Sequence, residues 1–80
     1  MLADKVGRVR IRANMPGEVE IRVNVGQVVY SGQMIAVVEG DQEIESLSVR
    51  KPSVVEEILV QTGDEVEGGT VLMSVREVEE

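Results

Sequence analysis

The side chains best suited to chemistry lie in one short polar segment near the middle of the chain. Four carboxylates fall within seven residues there: Glu39, Asp41, Glu43 and Glu45. Carboxylate oxygens could bind a hard cation, and Glu39 and Glu45 could act as acid and base if they were buried together. However, the glycine-centred calcium loop is absent, and alternate residues of a strand point in different directions. A solvated acidic segment is the simpler interpretation, with partner docking as the alternative.

Other reactive side chains are few. The chain has no cysteine and no histidine, so thiolate ligands, cysteine nucleophiles and the usual general base at neutral pH are missing. Its only side-chain amines are those of Lys5 and Lys51. Because an 80-residue chain has a thin core and little volume for a pocket, we predict that the chain is not an enzyme by itself.

The charge of the chain narrows the classes of partner. The net charge is −7, with eight Lys and Arg residues among 80, which argues against nucleic-acid binding because phosphates need a clustered positive surface. No stretch approaches the roughly 20 apolar residues of a membrane span, and no apolar targeting segment opens the chain. We therefore expect a cytoplasmic protein that binds another protein.

An internal repeat organises the elements that would position the acidic segment. A spacing of 37 residues aligns apolar residues and glycines of the two halves, while the two prolines match at 36. The aligned pairs are Ile21/Ile58, Val23/Val60, Gly26/Gly63, Val29/Val66, Gly32/Gly69, Ile35/Leu72 and Val38/Val75, with Pro16/Pro52 at the shorter spacing. We expect Ile21 and Ile58 to be core residues at equivalent places.

Within each half, apolar residues alternate with polar ones between glycine turns, which predicts short strands and no helix. The segment 39–45 then forms a surface hairpin that joins the two halves. Alternation of Arg8, Arg10 and Arg12 with Val9 and Ile11 predicts an edge strand with one cationic face. We expect a single domain over residues 1–80, with its core over about 6–76 and an acidic tail over 77–80.

Several segments, in this order, resemble the biotinyl/lipoyl carrier domain family. Residues 15–19, MPGEV, resemble the family's "MPG-x-V", and residues 26–35, GQVVYSGQMI, resemble its "G-x-x-V-x-x-G-Q-x-L". Residues 49–52, VRKP, are similar to the "V-x-A-P" after the carrier hairpin, and residues 63–72 repeat the glycine segment. The resemblance covers residues 15–75 and implies an all-β flattened barrel, a barrel-sandwich hybrid of two pseudo-symmetric four-stranded halves.

The resemblance also implies where a cofactor would be attached. In the family, biotin or lipoate is joined by an amide to a lysine at the tip of the hairpin between the halves. Counting forward from Glu39 places that position at Gln42, while counting back from Pro52 places it at Ile44. Neither side chain is an amine. Lys51 abuts Pro52 at the base of the hairpin, and Lys5 lies in the N-terminal segment.

These observations give two hypotheses about function. In the first, the chain is a non-catalytic interaction module of a larger enzyme assembly, carries no cofactor, and presents a recognition surface made of Glu39, Gly40, Asp41, Glu43 and Glu45. In the second, it is a swinging-arm carrier of biotin or lipoate in a carboxylase or 2-oxo acid dehydrogenase-type complex. That carrier would use an unusual lysine, or would have lost a tip lysine by replacement. The partner would be that complex or a modifying ligase.

Overall fold

A computed structural model describes residues 7–78, which form eight strands and no helix. The short alternating runs of the sequence account for the strands, which are β1 (Arg8–Arg12), β2 (Gly17–Ile21), β3 (Val28–Val29), β4 (Met34–Glu39), β5 (Ile44–Ser48), β6 (Ser53–Ile58), β7 (Glu65–Val66) and β8 (Val71–Glu77). Across this part of the chain there is no helix that could cross a membrane.

The strands form two antiparallel four-stranded sheets. One has the order β1-β8-β6-β3 and the other β5-β4-β2-β7. We call them the first and the second sheet. We count β2–β5 as one half of the repeat and β6–β8 with β1 as the other. Each half then supplies three strands to one sheet and its short strand, β3 or β7, to the other. The predicted flattened barrel is confirmed, and the exchange of the two short strands ties the halves together.

The core lies between the sheets and is aliphatic. Most of its fully buried side chains occupy equivalent positions of the repeat, with exposed fractions of 0 or 1%; these pairs are Val19/Val55, Ile35/Leu72, Ala36/Met73 and Val38/Val75. The burial expected for one pair was too high. Ile21 and Ile58 are only partly buried and pack against the core from its margin, because each lies at the last position of its strand, where the opposite sheet covers it less fully.

Turns of one kind join the strands in both halves. Gly26 has a φ of 90° and Gly63 a φ of 99°, a conformation that a residue with a Cβ adopts at a cost. The amide of Gly26 donates to the carbonyl of Val55, and that of Gly63 donates to the carbonyl of Val19. The glycines therefore both reverse the chain and link the two sheets. Gly32 and Gly69, the other predicted pair, also have positive φ.

The described residues include β1, at the edge of the first sheet, and the end of β8. β1 is an edge strand, and its three arginines are exposed while Val9 and Ile11 face the core. β8 continues through Glu77, one residue beyond the expected end of the core, and the amide of Val78 donates to the carbonyl of Pro52. The other parts of the predicted boundaries, Val6 and residues 79–80, lie outside the described residues.

The repeat gives the molecule two equivalent ends. At one, the amide of Gly40 donates to the carbonyl of Glu43 at 2.8 Å and closes the turn between β4 and β5. At the other, the amide of Glu77 donates to the carbonyl of Gly7 at 2.8 Å, between β8 and β1. We call these the hairpin end and the terminal end. Gly40 and Glu43 of the hairpin in one half thus correspond to Glu77 and Gly7 in the other half.

Candidate functional site

The hairpin between β4 and β5 projects from the hairpin end. The strands pair up to Glu39 and Ile44, and the four residues between them, Gly40 to Glu43, form what we call the hairpin tip. Asp41, Gln42 and Glu43 are exposed. The tip is a tight, solvent-facing turn on two paired strands, which is a suitable element to be recognised by another protein.

The two predicted attachment positions lie in different parts of this hairpin. Gln42 is within the tip, whereas Ile44 is the first residue of β5 and lies directly opposite Glu39. Ile44 is 66% exposed. Both side chains reach solvent. An amide and an alkyl group cannot be acylated as an amine can, so the residues at the tip do not fit a covalently attached biotin or lipoate.

Lys51 lies away from the tip. It is exposed, in the segment between β5 and β6. The next two residues belong to the terminal end, because the carbonyl of Pro52 accepts from Val78 and Ser53 pairs with Glu77. Lys51 therefore follows β5 at the end opposite to its junction with the tip. Lys5 lies outside the described residues.

The predicted acidic surface divides into two parts. Glu39 faces outward from the second sheet, directly opposite Glu18, which is in turn opposite Glu65. All three are exposed. Like charges in direct opposition destabilise a sheet, so this row is not explained by stability. Glu18 and Glu65 were missed in the sequence, although each precedes a buried valine and so had to face outward.

Glu45 belongs to the other part and is not an exposed recognition residue. It lies opposite the fully buried Val38 and is itself half-buried. Its carboxylate accepts from the backbone amide of Asn14 at 3.0 Å and also from the Asn14 side-chain amide. The carboxylate of Glu45 thus fastens the β1–β2 connection to β5, which the alternation of the hairpin could not reveal. Among residues 7–78, no group of three acidic side chains is placed to hold a metal ion.

Residues 15–17 form the base of the tip. A Cβ at Gly17 would lie 2.5 Å from the carbonyl oxygen of Glu39, and one at Gly40 would lie 2.8 Å from the Met15 methyl carbon. At Gly17 two backbones therefore approach each other where only glycine fits, whereas at Gly40 the nearest atom is the end of a flexible side chain that can move aside. The close approach at Gly17 explains the glycine of the Met-Pro-Gly sequence.

Two four-stranded sheets with exchanged short strands and a projecting hairpin define the barrel-sandwich class of carrier-type domains. A family model described as "Biotin-requiring enzyme", for the biotin/lipoyl domain, matches residues 9–75. The chain belongs to this biotin/lipoyl family, and the resemblance seen in the sequence is confirmed.

One curated relative is the dihydrolipoyllysine-residue acetyltransferase component of the pyruvate dehydrogenase complex from Haemophilus influenzae. The identity is 41% over 54 residues, which is 68% of this chain. The match covers only 10% of the relative. The chain is thus similar to one small part of a much longer protein.

Two solved structures share the fold. A single-chain, multi-domain long-chain acyl-CoA carboxylase matches with a TM-score of 0.83 and 21% identity, over 94% of this chain and 8% of that one. A succinylglutamate desuccinylase/aspartoacylase family protein from Shewanella amazonensis matches with a TM-score of 0.74 and 18% identity, over 88% of this chain and 20% of that one. At these identities the likeness establishes the fold only.

Proposed function

We propose that this domain is a non-catalytic docking module of a larger enzyme assembly, and that it uses the hairpin of a carrier domain without carrying a cofactor. The observation that carries the proposal is the composition of the tip. Its exposed side chains are two carboxylates and an amide, Asp41, Glu43 and Gln42. An acidic projecting turn suits contact with a cationic protein surface.

The surroundings of the tip support docking. Glu18, Glu39 and Glu65 extend the negative charge across the adjoining sheet face, and Ile44 adds an exposed apolar side chain beside them. A rim of charge around an apolar residue is typical of protein interfaces. The proposal rests on the side chains at the tip and not on the fold, because one fold hosts unrelated functions.

Removal of the tip charges tests the docking role. In the double variant Asp41→Asn, Glu43→Gln, we expect the chain to lose co-purification with its assembly when both are expressed in the source organism. The matched control is Glu57→Gln with Glu67→Gln, which removes the same charge from exposed positions outside the tip. Retention of the assembly by the tip variant would contradict the proposal.

Installation of a lysine tests the loss of the carrier role. We expect Gln42→Lys, co-expressed with a biotin ligase or a lipoate ligase, to gain the mass of one cofactor. Ile44→Lys places an amine on the strand and not in the turn, and we expect it to stay unmodified. Intact-mass spectrometry distinguishes the four combinations. Modification of Ile44→Lys alone would assign the attachment position to Ile44.

A further inference from the structure

The two equivalent margins between the sheets are built differently. At one margin β5 faces the connection between β1 and β2, and at the other β1 faces the connection between β5 and β6. The repeat makes Glu45 equivalent to Val9 and Asn14 equivalent to Arg50, at the spacing of 36 shown by the prolines. We call the first margin the closed seam and the second the open seam.

The closed seam is filled by the chain's own carboxylate. Glu45 lies beside the core on β5, and its two oxygens accept from the backbone amide and the side-chain amide of Asn14. At this margin, a carboxylate therefore lies over the apolar side chains between the sheets, which we call the floor of the seam. A donor side chain on the β1–β2 connection holds that carboxylate in place.

Among residues 7–78, the open seam keeps the floor and a donor but has no carboxylate at the position equivalent to Glu45. Val9 stands where Glu45 would be and offers no acceptor, while Arg50 replaces the neutral donor Asn14 with a guanidinium. The result is a cleft of about 350 Å³ that Val9, Ile11 and Val75 line on the apolar side and Arg50, Ser53 and Glu77 on the polar side. A volume of this size accommodates a side chain with its neighbour.

We propose that the open seam binds a carboxylate side chain of a partner polypeptide, with an apolar residue next to it. The carboxylate takes at Arg50 the place that Glu45 takes at Asn14, and the apolar neighbour covers Val9 and Ile11. A guanidinium forms two parallel hydrogen bonds with a carboxylate, which an amide cannot do. Arg50 therefore favours an acidic group at its own side of the cleft, although Glu77 also lines the cleft.

The neighbouring charges orient such a ligand. Arg10 and Arg12 are exposed on the outer face of β1 and do not line the cleft, and Arg12 donates to the carbonyl of Gly69 at 3.0 Å. Glu77 lines the same cleft and repels a carboxylate, so the acidic group is directed to Arg50. This site is at the terminal end, separate from the hairpin tip, and does not rest on the function proposed for the tip.

The probe for the test is a pair of capped dipeptides, acetyl-Glu-Leu-amide and acetyl-Gln-Leu-amide, titrated into the full chain. Backbone amide chemical shifts report the site. We expect the Glu dipeptide to shift the amides of Val9, Val49 and Arg50, and the Gln dipeptide to bind about tenfold more weakly, because hydrogen bonds to charged groups are the stronger ones.

Three variants sharpen the result. Arg50→Met removes the cation of the cleft and abolishes the chemical-shift changes. Arg10→Met removes a cation from the outer face of β1 and leaves the chemical-shift changes in place. Val9→Glu supplies an internal carboxylate, closes the seam and blocks the dipeptide. If Val9→Glu does not fold, the contrast between Arg50→Met and Arg10→Met decides.

Three results would overturn the proposal. The first is equal binding of the two dipeptides, and the second is an absence of shifts at the seam. The third is a change at the same amides when the protein concentration is raised without peptide, since a second copy of the chain would then fill the cleft.

Discussion

The hairpin end and the terminal end derive from the same repeat, and they differ almost wholly in their exposed side chains. Across the outer face at the hairpin end, Glu65, Glu18, Glu39 and Ile44 lie side by side. The equivalent row at the terminal end is Val28, Val54, Arg76 and Arg8. One face is acidic and the other is cationic and apolar, on strands with the same register.

The buried positions show the opposite behaviour. Val19 and Val55 are identical, as are Val38 and Val75, and Ile35 and Leu72 differ only in where they branch, whereas Ala36 and Met73 are both fully buried and differ in size. A core near crystalline density constrains volume and shape, while an outward side chain is free to change. The repeated residues therefore maintain the fold, and the exposed positions at which the two halves differ are the candidates for function.

The largest expected effect tests the equivalence of the two cores. Ile35→Ala and Leu72→Ala should each lower the free energy of unfolding by about 2 to 5 kcal/mol, because both side chains are fully buried. Ile21→Ala and Ile58→Ala should cost less, since these residues are partly buried. Urea unfolding followed by far-UV circular dichroism is the suitable measurement, because the single aromatic residue, Tyr30, is exposed. A cost at Ile21 as large as that at Ile35 would contradict this ranking.

The next largest effect on stability compares the hairpin end with the terminal end at one equivalent position. Gly17→Ala should cost about 1 to 3 kcal/mol, as overpacking does, because the added methyl meets the carbonyl of Glu39. The equivalent residue at the terminal end is Ser53, which is buried and donates to the carbonyl of Lys51 at 2.8 Å. Ser53→Gly therefore leaves a gap without a clash. Thermal melts of the two variants should differ, with Gly17→Ala also perturbing the amides of the tip.

A smaller effect concerns the seam. Glu45→Ala should lower the free energy of unfolding by about 1 kcal/mol, because the backbone amide of Asn14 loses its acceptor. Val9→Ala at the equivalent place removes only apolar contact. A double-mutant cycle with Asn14→Ala should show coupling between the side chains of Glu45 and Asn14, and additive costs would show that the two side chains do not interact.

The smallest effect concerns the charges of the first sheet. Glu56 contacts both Arg8, at 3.4 Å, and Arg76, at 3.0 Å, and these guanidinium groups are about half exposed. Glu56→Gln should change stability by less than about 1 kcal/mol, and the difference from the exposed control Glu57→Gln should shrink in high salt.

Much of this architecture could be predicted from the sequence. The alternation and the repeat identified the strands, the glycine turns and the hairpin, because these depend on local periodicity and on backbone conformation. The exchange of β3 and β7 could not be predicted, since two-residue strands carry no periodicity. The burial of Ile21 and Ile58 was overestimated because a sequence pattern identifies the inward face of a strand but not how far the opposite sheet extends over it.

The candidate site was predicted in part. The acidic hairpin and the absence of an amine at its tip are evident from residues 39–45, which are contiguous. Glu45 was grouped with the wrong set because its partner, Asn14, is 31 residues away. The row of Glu18, Glu39 and Glu65 comes from three strands, so it could be recognised only once the register was known.

The most direct test of the central claim is the intact mass of this domain purified from its source organism. We predict the mass of the unmodified polypeptide, because neither expected attachment position, Gln42 or Ile44, offers an amine. An added biotinyl or lipoyl group, mapped by peptide sequencing to Lys5 or Lys51, would contradict the account and make the domain a cofactor carrier.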